Sequence, residues 1–479
     1  MRTAATVALT CLLPLTVSTL TGCHNTPPRA DLAQLYNRAA NAPEEYRAPV
    51  IVIPGILGTE LIDADSGQIA WGAFTGNSID PTTPEGARIM ALPMVEGAPL
   101  ADLSDDVRRA GALETFEVDI LGIPFELSAY VDILTTLGVG GYRDRPLGES
   151  GAISYGPGHY TCDQYDYDWR KDISQHAEDL HEYVVDVAEY VQGERGLDEL
   201  VKLNIVAHSM GGLVARYYLR YGPTPLPDDG SLPPLTWEGA KYIERLIMVG
   251  TPNAGSALSL TQLVNGYDIA PFLPSYNPAI LGTFPSIYQL LPRPRHGAVV
   301  DADSGEPIDF YDPAEWEARG WGLASPDLDD KLAELLPDAS SPAERRAIAL
   351  DQLRKSLARA EQFHRAVDRP ASPPEGLEIV LIAGDVEDTA AVLEADPRRG
   401  TLRIAERTPG DGTVTRDSAL MDERLGRDWV PGLRSPIDFE SVLFLANNHL
   451  GLTKDPNFSN NVLYLLLEAP TGGPADIEG

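Results

Sequence analysis

A serine stands between an apolar run and a helical pattern in Leu203-Asn204-Ile205-Val206-Ala207-His208-Ser209-Met210-Gly211-Gly212. The small residues around it suit a sharp strand-to-helix turn, a nucleophile elbow with Ala207 in the first glycine position. Gly211 lets helix and strand approach closely. Such a turn lifts the Ser209 hydroxyl clear of a sheet and sets it at a helix N-terminus, where free N–H groups and partial positive charge gather. A serine before a helix is often only an N-cap, but the full strand–turn–helix context favours a nucleophile. His208 is expected to point away from Ser209 and to shape the elbow. A serine hydroxyl needs a base, and the base needs a carboxylate to hold it. In this architecture the chain order is nucleophile, acid, base. Three histidines follow Ser209. His296 sits amid Pro and Arg, and His364 on a charged helical stretch, whereas His449 follows an apolar run in a short Asn-Asn-His-Leu-Gly loop. His449 is therefore the expected base. For the acid, the residues alone leave two alternatives: Asp385, just after the run Leu377–Ala383, and Asp411 in Pro409-Gly410-Asp411-Gly412-Thr413-Val414. Finally, Ile53-Pro54-Gly55-Ile56-Leu57-Gly58 ends the first apolar run. A loop there can aim a backbone N–H at a developing oxyanion, with the Met210 N–H as second donor.

These groups need a frame. The β-branched run Val50–Ile53, closed by Pro54-Gly55, predicts a buried strand. Ile173, Ala177, Leu180, Val184, Val187 and Val191 recur at helical spacing. Strand Leu203–Ala207, helix Met210–Tyr221, and strands Leu246–Val249, Leu377–Ala383 and Val442–Ala446 follow, with a closing helix over Asn461–Glu468. That alternation predicts an α/β fold: a mostly parallel sheet with helices on both faces. Residues 74–150 and 256–375 break the alternation and are too long for bare connections. Both are expected to be inserted subdomains, candidates for a lid or cap. The domain proper then covers 46–470, with a tail over 471–479.

Composition excludes several classes. The chain has 479 residues, ample for a large core, and a net charge of −34. So acidic a surface repels phosphate backbones and anionic lipid alike, so nucleic-acid binding is not expected and membrane attachment needs an apolar anchor. Residues 1–22 read as an export signal: Met1 and Arg2, then an apolar run broken by Pro14. It ends in Leu20-Thr21-Gly22-Cys23, which resembles the bacterial lipoprotein processing box. That resemblance implies cleavage before Cys23, lipidation of its thiol, a tether over 23–45, and residence in the bacterial cell envelope as a membrane-anchored protein. Cys162 is then the last free cysteine, so a disulfide framework and a cysteine-based zinc site are both excluded.

Taken together, the motifs resemble those of the lecithin:cholesterol acyltransferase family, with its phospholipid:diacylglycerol acyltransferase and lysosomal-type phospholipase relatives. The matching stretches run in family order: 54–61 (PGILGTEL), Tyr167-Asp168-Trp169-Arg170, 207–212 (AHSMGG), 250–256 (GTPNAGS), 410–414 (GDGTV) and the Asn-Asn-His loop. The resemblance implies an α/β-hydrolase fold and selects Asp411 over Asp385 as the acid. It also implies Ile56 and Met210 as oxyanion donors and makes Tyr167–Arg170 a structural signature beside the site. The implied activity is transfer of an acyl group from a lipid ester to water or to a lipid alcohol, with neither metal nor cofactor required. The animal enzymes close their lid with a disulfide, which this chain lacks the cysteines to form. Two other readings compete: a depolymerase of exogenous polyesters, and a non-catalytic surface lipoprotein.

Overall fold

The computed structural model describes residues 30–73, 76–113, 130–268, 273–424 and 430–469, and the backbone alone for 115–120 and 123–128. The expected leader, Cys23 and the tail lie outside the described residues.

Six strands form the central sheet: β1 (Val50–Ile53), β2 (Cys162–Gln164), β3 (Leu203–His208), β4 (Ile243–Val249), β5 (Glu378–Gly384) and β6 (Ser441–Leu445). Their order is β6-β5-β4-β3-β1-β2, and every pairing is parallel. This is the frame of an α/β hydrolase. Side chains alternate between two cores, as the period of a strand requires. On one face Ile51, Ile53, Ile205, Ala207, Leu246 and Met248 meet α2 (His176–Arg195), α3 (Met210–Tyr221) and α4 (Pro342–Val367). On the other, Val50, Val52, Val206, Ile247 and Val249 meet α1 (Val131–Val139) and α5 (Pro456–Leu467). Parallel strands covered on both faces read as largely apolar runs, which is why β1, residues 205–207 of β3 and Leu246–Val249 of β4 announce themselves in the sequence. β2 does not, because its residues are Cys, Asp and Gln, all buried at the sheet edge. α5 begins at Pro456, earlier than the apolar periodicity indicates, because Asp455 caps the N–H of Asn457.

The strand order reverses at β1: β2 lies to one side of it and β3 to the other. A crevice opens at such a switch point, beyond the carboxyl ends of the strands. The loop after β1 and the elbow after β3 both open into it.

Tyr167–Arg170 explains how the irregular segments are held. Tyr167 donates to the Pro54 carbonyl (2.8 Å), and the Trp169 indole donates to the Thr59 carbonyl (3.1 Å). Arg170, fully buried, binds both Asp168 oxygens (2.9 and 2.8 Å), the Met90 carbonyl (3.1 Å) and Asp105 (2.8 Å). Residues near 90 and 105 are thereby moored to the core. On the other side the Ser286 hydroxyl donates to the Trp169 carbonyl (2.6 Å), and Gln289 binds Asp172 (2.6 Å) and the Ile173 N–H (2.8 Å). One motif ties down both long segments. Replacing Arg170 with Met leaves the buried Asp168 and the half-buried Asp105 without the guanidinium they share, with only Lys171, 3.7 Å from Asp168, nearby. We predict a loss of about 3–5 kcal/mol, read as a lower urea midpoint, together with early proteolysis between residues 84 and 105. An unchanged midpoint refutes the mooring.

Candidate active site

Ser209 occupies a turn that L-residues avoid, with φ 53° and ψ −125°. Strain of that kind persists only where the surroundings enforce it, and here the enforcement is visible. The Ser209 N–H donates to the Val249 carbonyl of β4 (2.8 Å), and α3 begins at the next residue. A Cβ on Gly211 would stand 2.4 Å from the Pro54 oxygen and 2.6 Å from the Ile53 oxygen. Only glycine allows α3 to start so close to β1.

The structure brings Ser209, His449 and Asp411 together. His449 Nε2 lies 3.0 Å from Ser209 Oγ, and its Nδ1 lies 2.8 Å from Asp411 Oδ2. With a carboxylate facing Nδ1, that nitrogen carries the proton and Nε2 offers its lone pair to the hydroxyl. The His449 N–H also donates to the Asp411 carbonyl (2.8 Å), so backbone and ring are both tied to Asp411. Asp411 Oδ1 accepts from the N–H groups of Thr413 (2.9 Å) and Val414 (2.7 Å). Burial works to raise the pKa of this carboxyl, but the His449 charge, the bond to it and the two N–H donors outweigh burial and hold it below the ordinary carboxylate range. Gly250, with φ +60°, leaves room for the ring: a Cβ there would come 3.2 Å from it.

Between Asp385 and Asp411 the geometry favours the second. After β5 the chain runs outward along Glu387–Ala395 and returns antiparallel along Leu402–Gly410. The excursion ends where it began, since a Cβ on Gly384 would lie 2.7 Å from Asp411 Cβ. Asp411 thus stands just beyond β5 in space though not in sequence. Asp385 is partly exposed and makes no hydrogen bond to His449. His296 is turned toward Glu423 (3.2 Å), and His364 contacts Tyr311 and the Gln289 carbonyl.

Several supporting residues carried no assigned role in the sequence reading. Ser256 donates to the Thr413 carbonyl (2.6 Å), Asn253 Nδ2 to that of Ala419 (2.7 Å), and Ser418 to that of Gly255 (2.5 Å). The stretch at 250–256 is therefore the bracket of the acid turn. Its presence among the six matching stretches was the one signal available.

The loop after β1 is pinned from three sides. The Gly55 N–H donates to the Tyr130 hydroxyl (2.8 Å), Tyr167 binds the Pro54 carbonyl, and the Trp71 indole donates to the Leu57 carbonyl (2.7 Å). Leu57 takes φ 66°. A Cβ on Gly55 would be 2.8 Å from Ser209 Cβ, so the loop lies directly against the serine. Among the described residues, the N–H groups of Ile56 and Met210 have no acceptor. Also among them, no group of three or more His, Cys, Asp or Glu is placed to hold a metal ion, and no helix is long and apolar enough to cross a membrane.

The lecithin:cholesterol acyltransferase family profile matches residues 157–310, about a third of the chain, which includes Tyr167–Arg170, the elbow and the bracket. No curated protein matches the sequence. Among solved structures, the Tle4–Tli4 complex contains a chain with 16% identity, covering 88% of this chain and 98% of its own, at a TM-score of 0.49. The mature lipase BlEst2 of Bacillus licheniformis gives 12% identity, 89% and 94% coverage and a TM-score of 0.32. Lipase 1 of Pelosinus fermentans gives 12%, 88% and 100%, and 0.31. These are likenesses of fold at low identity. The fold is that of an α/β hydrolase, and the family match falls on the part of it that holds the elbow.

The depressed Asp411 pKa fixes a sign. Its contribution to stability is present above the unfolded value of about 3.9 and is lost as pH falls through the folded one. Unfolding midpoints at pH 7 and at about pH 2 should therefore differ less in Asp411→Asn than in the wild type. Identical acid slopes contradict the assignment.

Proposed function

We propose that the protein is a serine-dependent acyl-transfer enzyme acting on lipid esters. The observation that carries this reading is the hydrogen-bonded line from Ser209 through His449 to Asp411, set against two unengaged backbone N–H groups. Ser209 Oγ attacks the ester carbonyl as its proton passes to His449 Nε2, and Asp411 holds and stabilises the imidazolium. The N–H groups of Ile56 and Met210 receive the oxyanion. As the tetrahedral intermediate collapses, the C–O bond to the leaving alcohol breaks and His449 returns the proton to it, leaving Ser209 acylated. Water or a second alcohol then gives its proton to His449 and takes the acyl group, freeing the serine. The residues present complete this cycle without a cofactor.

What supports an apolar acyl donor is the family match, which spans the elbow and the stretch that brackets the Asp411 turn. Export and anchoring through a lipidated Cys23 belong to the same proposal: with a net charge of −34, the chain needs an apolar tether to stay beside a lipid surface.

The test uses purified protein with phospholipid vesicles that contain a long-chain alcohol, measuring free fatty acid and new ester. Free acid alone defines a lipase or phospholipase, and new ester defines an O-acyltransferase. Ser209→Ala should lower either product on the order of 10⁴-fold or more. Equal product from that variant, or none from the folded wild type, removes the lipid reading and leaves the polyester and non-catalytic alternatives.

A further inference from the structure

Two groups near the site, Tyr130 and His208, take no part in the cycle above, yet they touch both halves of it. The Tyr130 hydroxyl accepts the Gly55 N–H at 2.8 Å and lies 3.4 Å from His208 Nδ1. His208 Nε2 lies 3.3 Å from the His449 carbonyl oxygen. The rings are packed as well: Tyr130 and His208 meet edge to face at 5.7 Å, and His208 and His449 are 4.9 Å apart. Both Tyr130 and His208 are buried.

The direction of each bond in this line follows from elementary chemistry. A carbonyl oxygen carries no proton, so the proton between His208 and His449 sits on His208 Nε2. The His208 ring is neutral, because burial and the neighbouring His449 push its pKa down to about 3. A neutral ring with its proton on Nε2 has a lone pair on Nδ1. The Tyr130 hydroxyl must then donate to Nδ1, which leaves its oxygen free to accept from Gly55. All donors point one way, from the loop after β1 to the loop after β6. The two loops lie almost 400 residues apart in sequence. Each end of the line meets a group that matters. Fixing the Gly55 N–H fixes the peptide plane next to that of Ile56. Fixing the His449 carbonyl completes a backbone whose N–H is already held by Asp411.

We propose that Tyr130 and His208 form a proton-ordered strut that sets the oxyanion loop at its working distance from His449. Both are positioning residues, since neither reaches Ser209 or a substrate. The proposal rests on the acyl-transfer reading of the site. It accounts for a histidine in front of the nucleophile that faces away from it, and for a buried tyrosine hydroxyl satisfied on both sides.

The test is a double-mutant cycle in the full-length protein with a short p-nitrophenyl ester, recording kcat, KM and the thermal midpoint. Tyr130→Phe keeps the ring and its packing, and removes only the hydroxyl. His208→Gln keeps a donor for the His449 carbonyl, and loses the acceptor for Tyr130. We expect each variant to lower kcat about tenfold, short of the 10²–10³-fold of deleting an oxyanion donor outright, with KM within about twofold. The double variant should be no slower than the slower single, because members of one unit do not add. Affinity for an alkyl boronic acid, which mimics the tetrahedral adduct, should fall in step with kcat. An unchanged kcat in Tyr130→Phe, factors that multiply in the double variant, or a lowered midpoint with kcat intact each overturn the strut. If His208→Gln does not fold, Tyr130→Phe with the boronic acid decides alone. Ester turnover that survives Ser209→Ala would instead sink the reading of the site beneath it.

Discussion

Gly211 lies so near the carbonyl oxygens of Ile53 and Pro54 that a single methyl group would collide with both, and much of the site follows from that closeness. It lets α3 begin within one residue of β3, which forces Ser209 into its positive-φ turn. It also brings the loop after β1 against the serine, with a Cβ on Gly55 falling 2.8 Å from Ser209 Cβ. Strain at one residue and unsatisfied donors at two others are local costs. The packing of β1, β3 and β4 between two cores offsets them.

Sequence reading reached the frame where physics leaves a local trace. Val50–Ile53 and, apart from Asn204, Leu203–Ala207 are β-branched or apolar because both faces of a parallel sheet are buried, and the small residues of the elbow are demanded by its geometry. The traces fail where a role depends on distant partners. Cys162-Asp163-Gln164 has no apolar pattern, yet it pairs with β1 as an edge strand. Asp385 and Asp411 could not be separated by their residues alone, because the hairpin that returns the chain to β5 is invisible without the fold. Family resemblance chose Asp411, the carboxylate that the fold sets 2.8 Å from His449 Nδ1. Tyr130 gave no signal, since its partner Gly55 is far off in the chain.

A strongly acidic protein spends its cations with care. Arg170, Arg245 and Arg293 are fully buried, and each binds a carboxylate or carbonyl groups that join separate segments. Arg216 is answered by Asn253 Oδ1 and the Val367 carbonyl, and burial pushes its pKa down to about 9. Arginine suits this work because its planar fork can hold several acceptors in fixed directions.

The hairpin that delivers Asp411 has a mechanical side. Its outgoing strand, Glu387–Ala395, also pairs with Val299–Asp301 of the long 256–375 segment, and the Trp321 indole of that segment donates to the Gly400 carbonyl at the hairpin tip (2.6 Å). Pulling on residues 299–301 therefore pulls on the support of the acid. A freely swinging flap at this point would slacken Asp411, and with it His449, at each stroke. Any motion of the 256–375 segment that left Asp411 in place would have to pivot around this weld rather than break it.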